Sequence, residues 1–306
     1  MPDKCHPACL EHILYEYPAL TKGGPYGISF LELSGEEGRA KPMYNLNGQV
    51  AVITGAASGI GRAIAMRLSL EGAAIVAADL NENAAEKVIQ EIKGLGRRGL
   101  ALEIDVSSEK DVARMVDESR GNFGQIDILV NNAGTGSVGR IIDHTVEDWE
   151  KPMRVNLKGT FLCSRAVAKE MIPRKRGRIV NISSISGKSG EEFIGAYCAS
   201  KFGVIGLTQA LAKELARHLI TVNAVCPGYI WTPMWEEMAR WFQENFPSLA
   251  DKSVQEIFEN RVKSVTPLRR PQTAEDIASL VAFLVSEEAR NITGQSINVD
   301  GGAVMH

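Results

Sequence analysis

The chain has 306 residues, and its 34 Lys and Arg against 37 Asp and Glu leave a net charge of −3. That balance excludes the basic excess that a nucleic-acid or anionic-membrane partner requires. No apolar run approaches the ~20 residues of a membrane-spanning helix, and a hydrophobic content of 44% is that of an ordinary globular protein.

Residues 1–45 read as an N-terminal extension with scattered glycine, proline and tyrosine. Its start, MPDKCHPACLEHILYEYPAL, carries Glu11 and Glu16. It lacks the basic beginning and apolar centre of a secretory signal, so a cytoplasmic location is expected. The five cysteines are Cys5, Cys9, Cys163, Cys198 and Cys226. An odd, scattered set fits free thiols in a reducing compartment. Cys5, His6, Cys9 and His12 cluster, but their spacing follows no zinc pattern, so no metal is expected. The segment reads as an arm, mobile or docked on a partner.

From residue 49 two patterns alternate. QVAVIT, AAIVAAD, GLALEID, IDILVNN, GRIVNIS, ITVNAV and QSINVD are short apolar runs, the signature of parallel strands buried on both faces. Between them lie stretches of helical period, among them GRAIAMRLSLEG, NAAEKVIQEIKG, EKDVARMVDESR and EDWEKPMRVNLKGTFLCSRAVAKEM. AYCASKFGVIGLTQALAKELARH and TAEDIASLVAFLVSEEA complete the set. Seven strands alternating with six helices predict a doubly wound α/β fold, a Rossmann-type parallel sheet in a single domain over 46–306. Such sheets bind ligands at the C-terminal ends of their strands. Residues 231–271 interrupt the rhythm. Apolar residues at 231, 234, 235, 238, 241 and 242 follow helical spacing there, as a core or interface stripe or as a lid over a substrate.

The first strand runs into TGAASGIG, where Gly55, Gly59 and Gly61 precede a helix. Glycines at such a turn let the backbone approach a pyrophosphate, and the helix N-terminus offers unpaired N–H groups and a positive dipole end. A tight strand-to-helix turn alone also favours glycine. The second strand ends at Asp79, 24 residues after Gly55. A carboxylate there accepts the hydroxyls of an adenosine ribose and repels a 2′-phosphate. Neither Ser58 nor Leu80 supplies a cation for that phosphate, so NAD is expected over NADP. Asp79 equally suits a helix N-cap. Asp105 and Val106 end the third strand, placed to cover an adenine ring. NNAG, residues 131–134, ends the fourth with two amides and a close backbone approach. In YCASK, Tyr197 and Lys201 share one helix face. A lysine ammonium favours the phenolate of a neighbouring tyrosine, and lowering its pKa by about 3 units takes roughly 4 kcal/mol. The pair alone equally fits a polar helix face.

Taken together, these pieces resemble the short-chain dehydrogenase/reductase family over about residues 46–303. TGAASGIG matches its TGxxxGxG turn and NNAG matches unchanged. VNLKGTF puts Asn156 at the helix-bending asparagine. Ser184 ends IVNISS 13 residues before Tyr197, and CPGYIWTPM matches the Pro-Gly and downstream Thr that border the nicotinamide. The resemblance implies Asn156, Ser184, Tyr197 and Lys201 as the catalytic set. Tyr197 is then the general acid/base, and Lys201 binds the nicotinamide ribose and lowers the tyrosine pKa. Ser184 holds the substrate oxygen, and Asn156 keeps a water in a proton relay. It implies a cofactor held by Gly55, Ser58, Gly59, Ile60, Gly61, Asp79, Asp105, Val106, Asn132, Ala133, Gly134, Tyr197, Lys201, Pro227, Gly228, Ile230 and Thr232. A homotetramer or dimer is implied as well.

Two features depart from the family. Pro152 falls inside the helix that carries Asn156, where it removes one backbone hydrogen bond and kinks the helix or marks its first turn. The N-terminal extension is longer than most members carry. TPMW resembles acetoin and butanediol dehydrogenases, and the wider chain resembles polyol and sugar dehydrogenases and 3-oxoacyl-thioester reductases. The last usually take NADP, which Asp79 opposes. Glu191 and Glu192, between Ser184 and Tyr197, either bind a polyol's hydroxyls or are solvated. The expected activity is NAD-dependent interconversion of a small secondary alcohol, diol or sugar alcohol and its ketone. A sugar-nucleotide epimerase, a 3-oxoacyl-thioester reductase and a non-catalytic dinucleotide sensor are the alternatives. An epimerase would carry TGxxGxxG and a larger C-terminal part.

Overall fold

Alternate residues of each strand face opposite ways, and in this chain both faces are apolar. In the computed structural model, which describes residues 42–306, that pattern produces one seven-stranded sheet, every ladder parallel, in the order β3-β2-β1-β4-β5-β6-β7. The strands are β1 Val50–Thr54, β2 Ala74–Asp79, β3 Gly99–Glu103, β4 Ile128–Asn131, β5 Gly177–Ile182, β6 Ile220–Pro227 and β7 Ser296–Val299. Ala51, Ile53, Ile75 and Val130 pack on one face against α1 (Gly59–Leu70), α2 (Glu82–Gly94) and α9 (Ala274–Val285). Val50, Val52, Val76 and Leu129 pack on the other against α3 (Glu109–Phe123), α5 (Gly159–Met171) and α6 (Gly195–Leu215). The expected α/β doubly wound architecture and all seven expected strands are present.

The two cores fix where the loops emerge. Strand order reverses between β1 and β4, so the crevice at their C-terminal ends is the topological switch point. The helix expected over EDWEKPMRVNLKGTFLCSRAVAKEM is built of three pieces. These are α4 (Val146–Pro152), a π-helical turn (Met153–Lys158) and α5. Thr145 and Asp148 form a capping box at its start. Pro152 has no N–H to give to the preceding turn, and the wider turn begins immediately after it, carrying Asn156. Pro152 therefore neither breaks the helix nor opens it; it marks the change of pitch. Residues 231–271 hold α7 (Pro233–Asn245) and α8 (Val254–Val265).

The compact unit runs from Pro42 to His306. The extension up to residue 41, with Cys5, His6, Cys9 and His12, lies outside the described residues. Among the described residues no helix is long and apolar enough to cross a membrane, and no group of three or more His, Cys, Asp or Glu is placed to hold a metal.

Candidate active site

The end of β1 is tied to the end of β4. Thr54 Oγ1 accepts from the Asn132 and Ala133 N–H groups at 3.0 and 3.1 Å. Asn132 Nδ2 donates to the Thr54 and Gly55 carbonyls at 3.0 and 2.9 Å. Such close approach demands glycine. A Cβ on Gly61 would lie 2.0 Å from the Gly55 oxygen, and Gly55 itself has φ +64°. At Gly59, φ +51°, a Cβ would meet nothing within 4 Å. The loop is therefore tight behind and open in front. Ser58 makes no side-chain cap to α1, and the first turn of α1 holds no acidic residue. Its free N–H groups and positive dipole end face that opening, which suits a phosphate.

Asp79 sits at the end of β2 with both oxygens engaged. Oδ2 accepts from Ala57 N and Oδ1 from Asn81 N, each at 3.0 Å. The N-cap of α2 is Asn81, accepting from Ala84 N, so Asp79 is not the cap. It pins the glycine loop and stays half-buried. Asp105 Oδ1 accepts from Ser107 N and Oγ, each at 2.8 Å. Val106 packs against Gly159, where a Cβ would lie 2.8 Å from Val106 Cγ2. The two amides of NNAG part company. Asn132 faces the crevice, whereas Asn131 is buried and donates to Ser164 Oγ and Asn181 Oδ1 at 2.9 and 2.8 Å.

A cleft of about 180 Å³ lies at the sheet edge beyond this loop. It brings together Ser184, Tyr197, Lys201, Asn132, Gly134, Pro227, Gly228, Ile230, Thr232 and Ile60. Ser184 follows β5, while Tyr197 and Lys201 lie one turn apart near the start of α6. Gly187 makes that approach possible, because a Cβ there would lie 2.8 Å from the Lys201 carbonyl oxygen. Asn156 does not line the cleft; it stands behind it, buried. Its Oδ1 accepts from Thr135 N, and its Nδ2 donates to Thr135 O and Ser200 Oγ. A side chain at Gly134 would sit 3.4 Å from Asn156 Oδ1 and 3.6 Å from Lys201 Nζ, which places both groups around one point. Thr232 caps α7, accepting from Trp235 N at 3.3 Å.

The sequence alone does not single out Thr135 and Ser200, the partners that orient Asn156, nor the Tyr229 side chain, which lines the cleft; Trp235 and Met238 of the expected lid stripe line it as well. Ser200 lies inside YCASK, four residues after Ala196 and one before Lys201, so its i, i+3 bond back to the Tyr197 carbonyl was a readable signal. Glu192 is exposed. Glu191 is not simply solvated, for it accepts from Tyr229 Oη at 3.5 Å and lies 3.6 Å from Arg261.

A short chain dehydrogenase family profile matches residues 49–243. The chain belongs to the short-chain dehydrogenase family. It is 40% identical over 257 residues to a diacetyl reductase [(S)-acetoin forming] of Staphylococcus epidermidis, covering 84% of this chain and 98% of the relative. It is 37% identical to a 3-oxoacyl-[acyl-carrier-protein] reductase FabG of Thermotoga maritima, covering 85% and 99%. A short-chain dehydrogenase/reductase of Armillaria gallica is 41% identical over 84% of this chain and 96% of its own.

The electrostatics of this short-chain dehydrogenase differ from the simplest expectation. Lys201 Nζ donates to the Ile182 carbonyl at 2.8 Å and lies 5.6 Å from the Tyr197 ring centroid, not on its hydroxyl. Burial pushes the Tyr197 phenol up to about 12, with the Ser184 hydroxyl pulling the other way. Burial pulls the Lys201 ammonium down to about 8. Both shifts have one cause, the low polarity around the pair, which disfavours each charged form. Lys201 therefore acts on the Tyr197 phenol through its charge and not through a hydrogen bond.

Proposed function

We propose that the protein interconverts a secondary alcohol and its ketone with NAD, Tyr197 serving as general acid/base. The observation that carries this reading is the convergence of Ser184, Tyr197 and Lys201 on one cleft, with Asn156 locked behind Lys201. NAD⁺, when bound, supplies the hydride acceptor and a positive ring. Gly55, Ser58, Gly59, Ile60 and Gly61 would hold its pyrophosphate, with Asp79 on the adenosine ribose. Asp105 and Val106 would flank the adenine, and Asn132, Ala133, Gly134, Pro227, Gly228, Ile230 and Thr232 the nicotinamide end. The open N-terminus of α1 supports that placement, and the carboxylate of Asp79, with no cation at Ser58 or Leu80, supports NAD over NADP.

The remaining roles follow from the chain's own groups. Ser184 Oγ orients the substrate oxygen. Tyr197 takes the hydroxyl proton in oxidation and returns it in reduction. Lys201 would hold the ribose and add positive charge, and Asn156, oriented by Thr135 and Ser200, would keep a water in a proton relay from Lys201 to solvent. A cleft of about 180 Å³ suits a short reacting end. Val138, Ile194, Ile230 and Met234 on its wall favour a plain secondary alcohol or diol over a sugar alcohol. Glu191, engaged by Arg261, is less free to bind a polyol's hydroxyls.

A second reading, reduction of a 3-oxoacyl thioester, is supported by relatives of similar identity. Purified protein assayed with NAD⁺ and NADP⁺ against diols, secondary alcohols and sugar alcohols, and with both reduced cofactors against acetoacetyl thioester, separates the two. NAD⁺-dependent turnover of an alcohol, lost in Tyr197→Phe, is expected. Preference for the thioester with NADPH would replace this reading by the second. Val146, Trp149, Phe161 and Phe202 stand exposed on α4, α5 and α6. We infer that this apolar face packs on a second copy, in a dimer or tetramer, which light scattering tests. The unpaired Cys163, Cys198 and Cys226 fit a cytoplasmic location.

A further inference from the structure

Next to the catalytic cleft is a larger cavity of about 820 Å³, a volume in the range of drug-sized ligands. Five side chains face both spaces: Ile185, Glu191, Tyr229, Trp235 and Met238. The partition is thus made of side chains, one of them the flexible Met238. Beyond it the wall is aromatic and aliphatic, from Phe193, Phe242, Phe246, Ile257 and Val304. Phe193 meets Trp241, Phe242 and Phe246 at centroid distances of 5.2, 5.9 and 5.5 Å.

The stripe along α7 decides what this space is for. A core stripe would be closed over by protein, yet only Ala239 of α7 is fully buried. The large apolar side chains Trp235, Met238 and Phe242 remain half-buried and turn toward the cavity. Apolar surface held in that way gains by covering another apolar group. The polar groups at the seam cancel each other. Arg261 lies 3.6 Å from Glu191 and over the Tyr229 ring at 5.9 Å, and Tyr229 Oη donates to Glu191. An uncharged occupant leaves that pair undisturbed, whereas an ionised one would have to compete with it.

We propose that this chamber is a second substrate subsite, and that it takes the uncharged apolar body, an alkyl chain of several carbons or an aromatic ring, of a ketone or secondary alcohol whose reacting carbon lies in the cleft. The inference rests on the oxidoreductase reading and narrows its substrate class. The small cleft then sets the chemistry, and the chamber sets the selectivity.

The test is a series of 2-alkanols from four to nine carbons with NAD⁺, in the full-length protein. kcat/KM should rise by about two- to fourfold per added methylene while the chain enters the chamber. Asn260→Phe and Ser264→Phe, each on an exposed α8 position that lines the chamber and not the cleft, should flatten the series. Binding of nonan-2-one and benzylacetone, read by calorimetry without turnover, should weaken in the same variants. Turnover of the shortest alcohol with no gain along the series would overturn the chamber and leave the oxidoreductase reading standing. Calorimetric binding that the variants weaken, with no turnover of any alcohol, would support the chamber and overturn that reading. No binding of either ketone overturns the chamber regardless of activity.

Discussion

Replacing Lys201 by methionine removes a charge and leaves a side chain of similar length in a position only 5% exposed. With the 5.6 Å from Lys201 Nζ to the Tyr197 ring centroid as the scale of the separation, two unit charges interact by about 3 kcal/mol at an effective dielectric near 20. That is about 2 pKa units. With burial holding the phenol at about 12 and the lysine at about 8, Lys201 is mostly protonated at neutral pH and exerts this pull. It does not by itself bring the phenol into the working range. In the proposed reaction the positive charge of NAD⁺ would add to it, so that the two cations act together. With Tyr197 as the proposed general base, alcohol oxidation requires the phenolate, so kcat should rise with pH along a limb that Tyr197 sets. In Lys201→Met that limb should move up by about 2 units, and kcat at neutral pH should fall by about 100-fold. The assay is the pH profile of kcat at saturating NAD⁺, which leaves the loss of a ribose contact in KM. A uniform fall in kcat at every pH, with the limb unmoved, would show that Lys201 acts by position alone, and the field argument would be wrong.

Three further outcomes follow from the same geometry. Asp79→Gly combined with Leu80→Arg should lower kcat/KM for NAD⁺ at least tenfold and raise it for NADP⁺, because a repelling carboxylate gives way to a guanidinium (steady-state kinetics with both cofactors). Gly61→Ala puts a Cβ 2.0 Å from the Gly55 oxygen and 2.5 Å from Asn132 Nδ2, so urea unfolding should show a loss of about 1–3 kcal/mol and calorimetry a loss of NAD⁺ binding. Asn156→Ala takes the side-chain partner from the Thr135 N–H and carbonyl and leaves Ser200 Oγ only its bond to the Tyr197 carbonyl. It should cost at least about 2 kcal/mol in urea unfolding and lower kcat with little change in KM for NAD⁺.

What the sequence disclosed and what it withheld divide along one physical line. Strands buried on both faces must be apolar throughout, so VAVIT and AIVAAD announce themselves whatever surrounds them. The turns at their ends need glycine for reasons local to the turn, as Gly55 and Gly61 show, and these too were legible. Asn131 and Asn132 are adjacent and chemically identical, and only the pleat separates them, sending one to Ser164 and Asn181 and the other to the crevice. Glu191 was ambiguous because its partner, Arg261, lies 70 residues away on another element. The stripe on α7 was ambiguous for the same reason, since helical spacing records which side is apolar and not what faces it. The sequence offers a kink or a first turn at Pro152, whereas a wider turn carrying Asn156 follows it, and Leu157 of that turn packs on α6, where a Cβ on Gly203 would lie 2.7 Å from it. Local chemistry is thus written in single stretches, while substrate choice depends on pairs that only folding joins. The second kind lies here in Glu191, Arg261, Tyr229 and the aromatic wall of α7, the groups that line the proposed chamber.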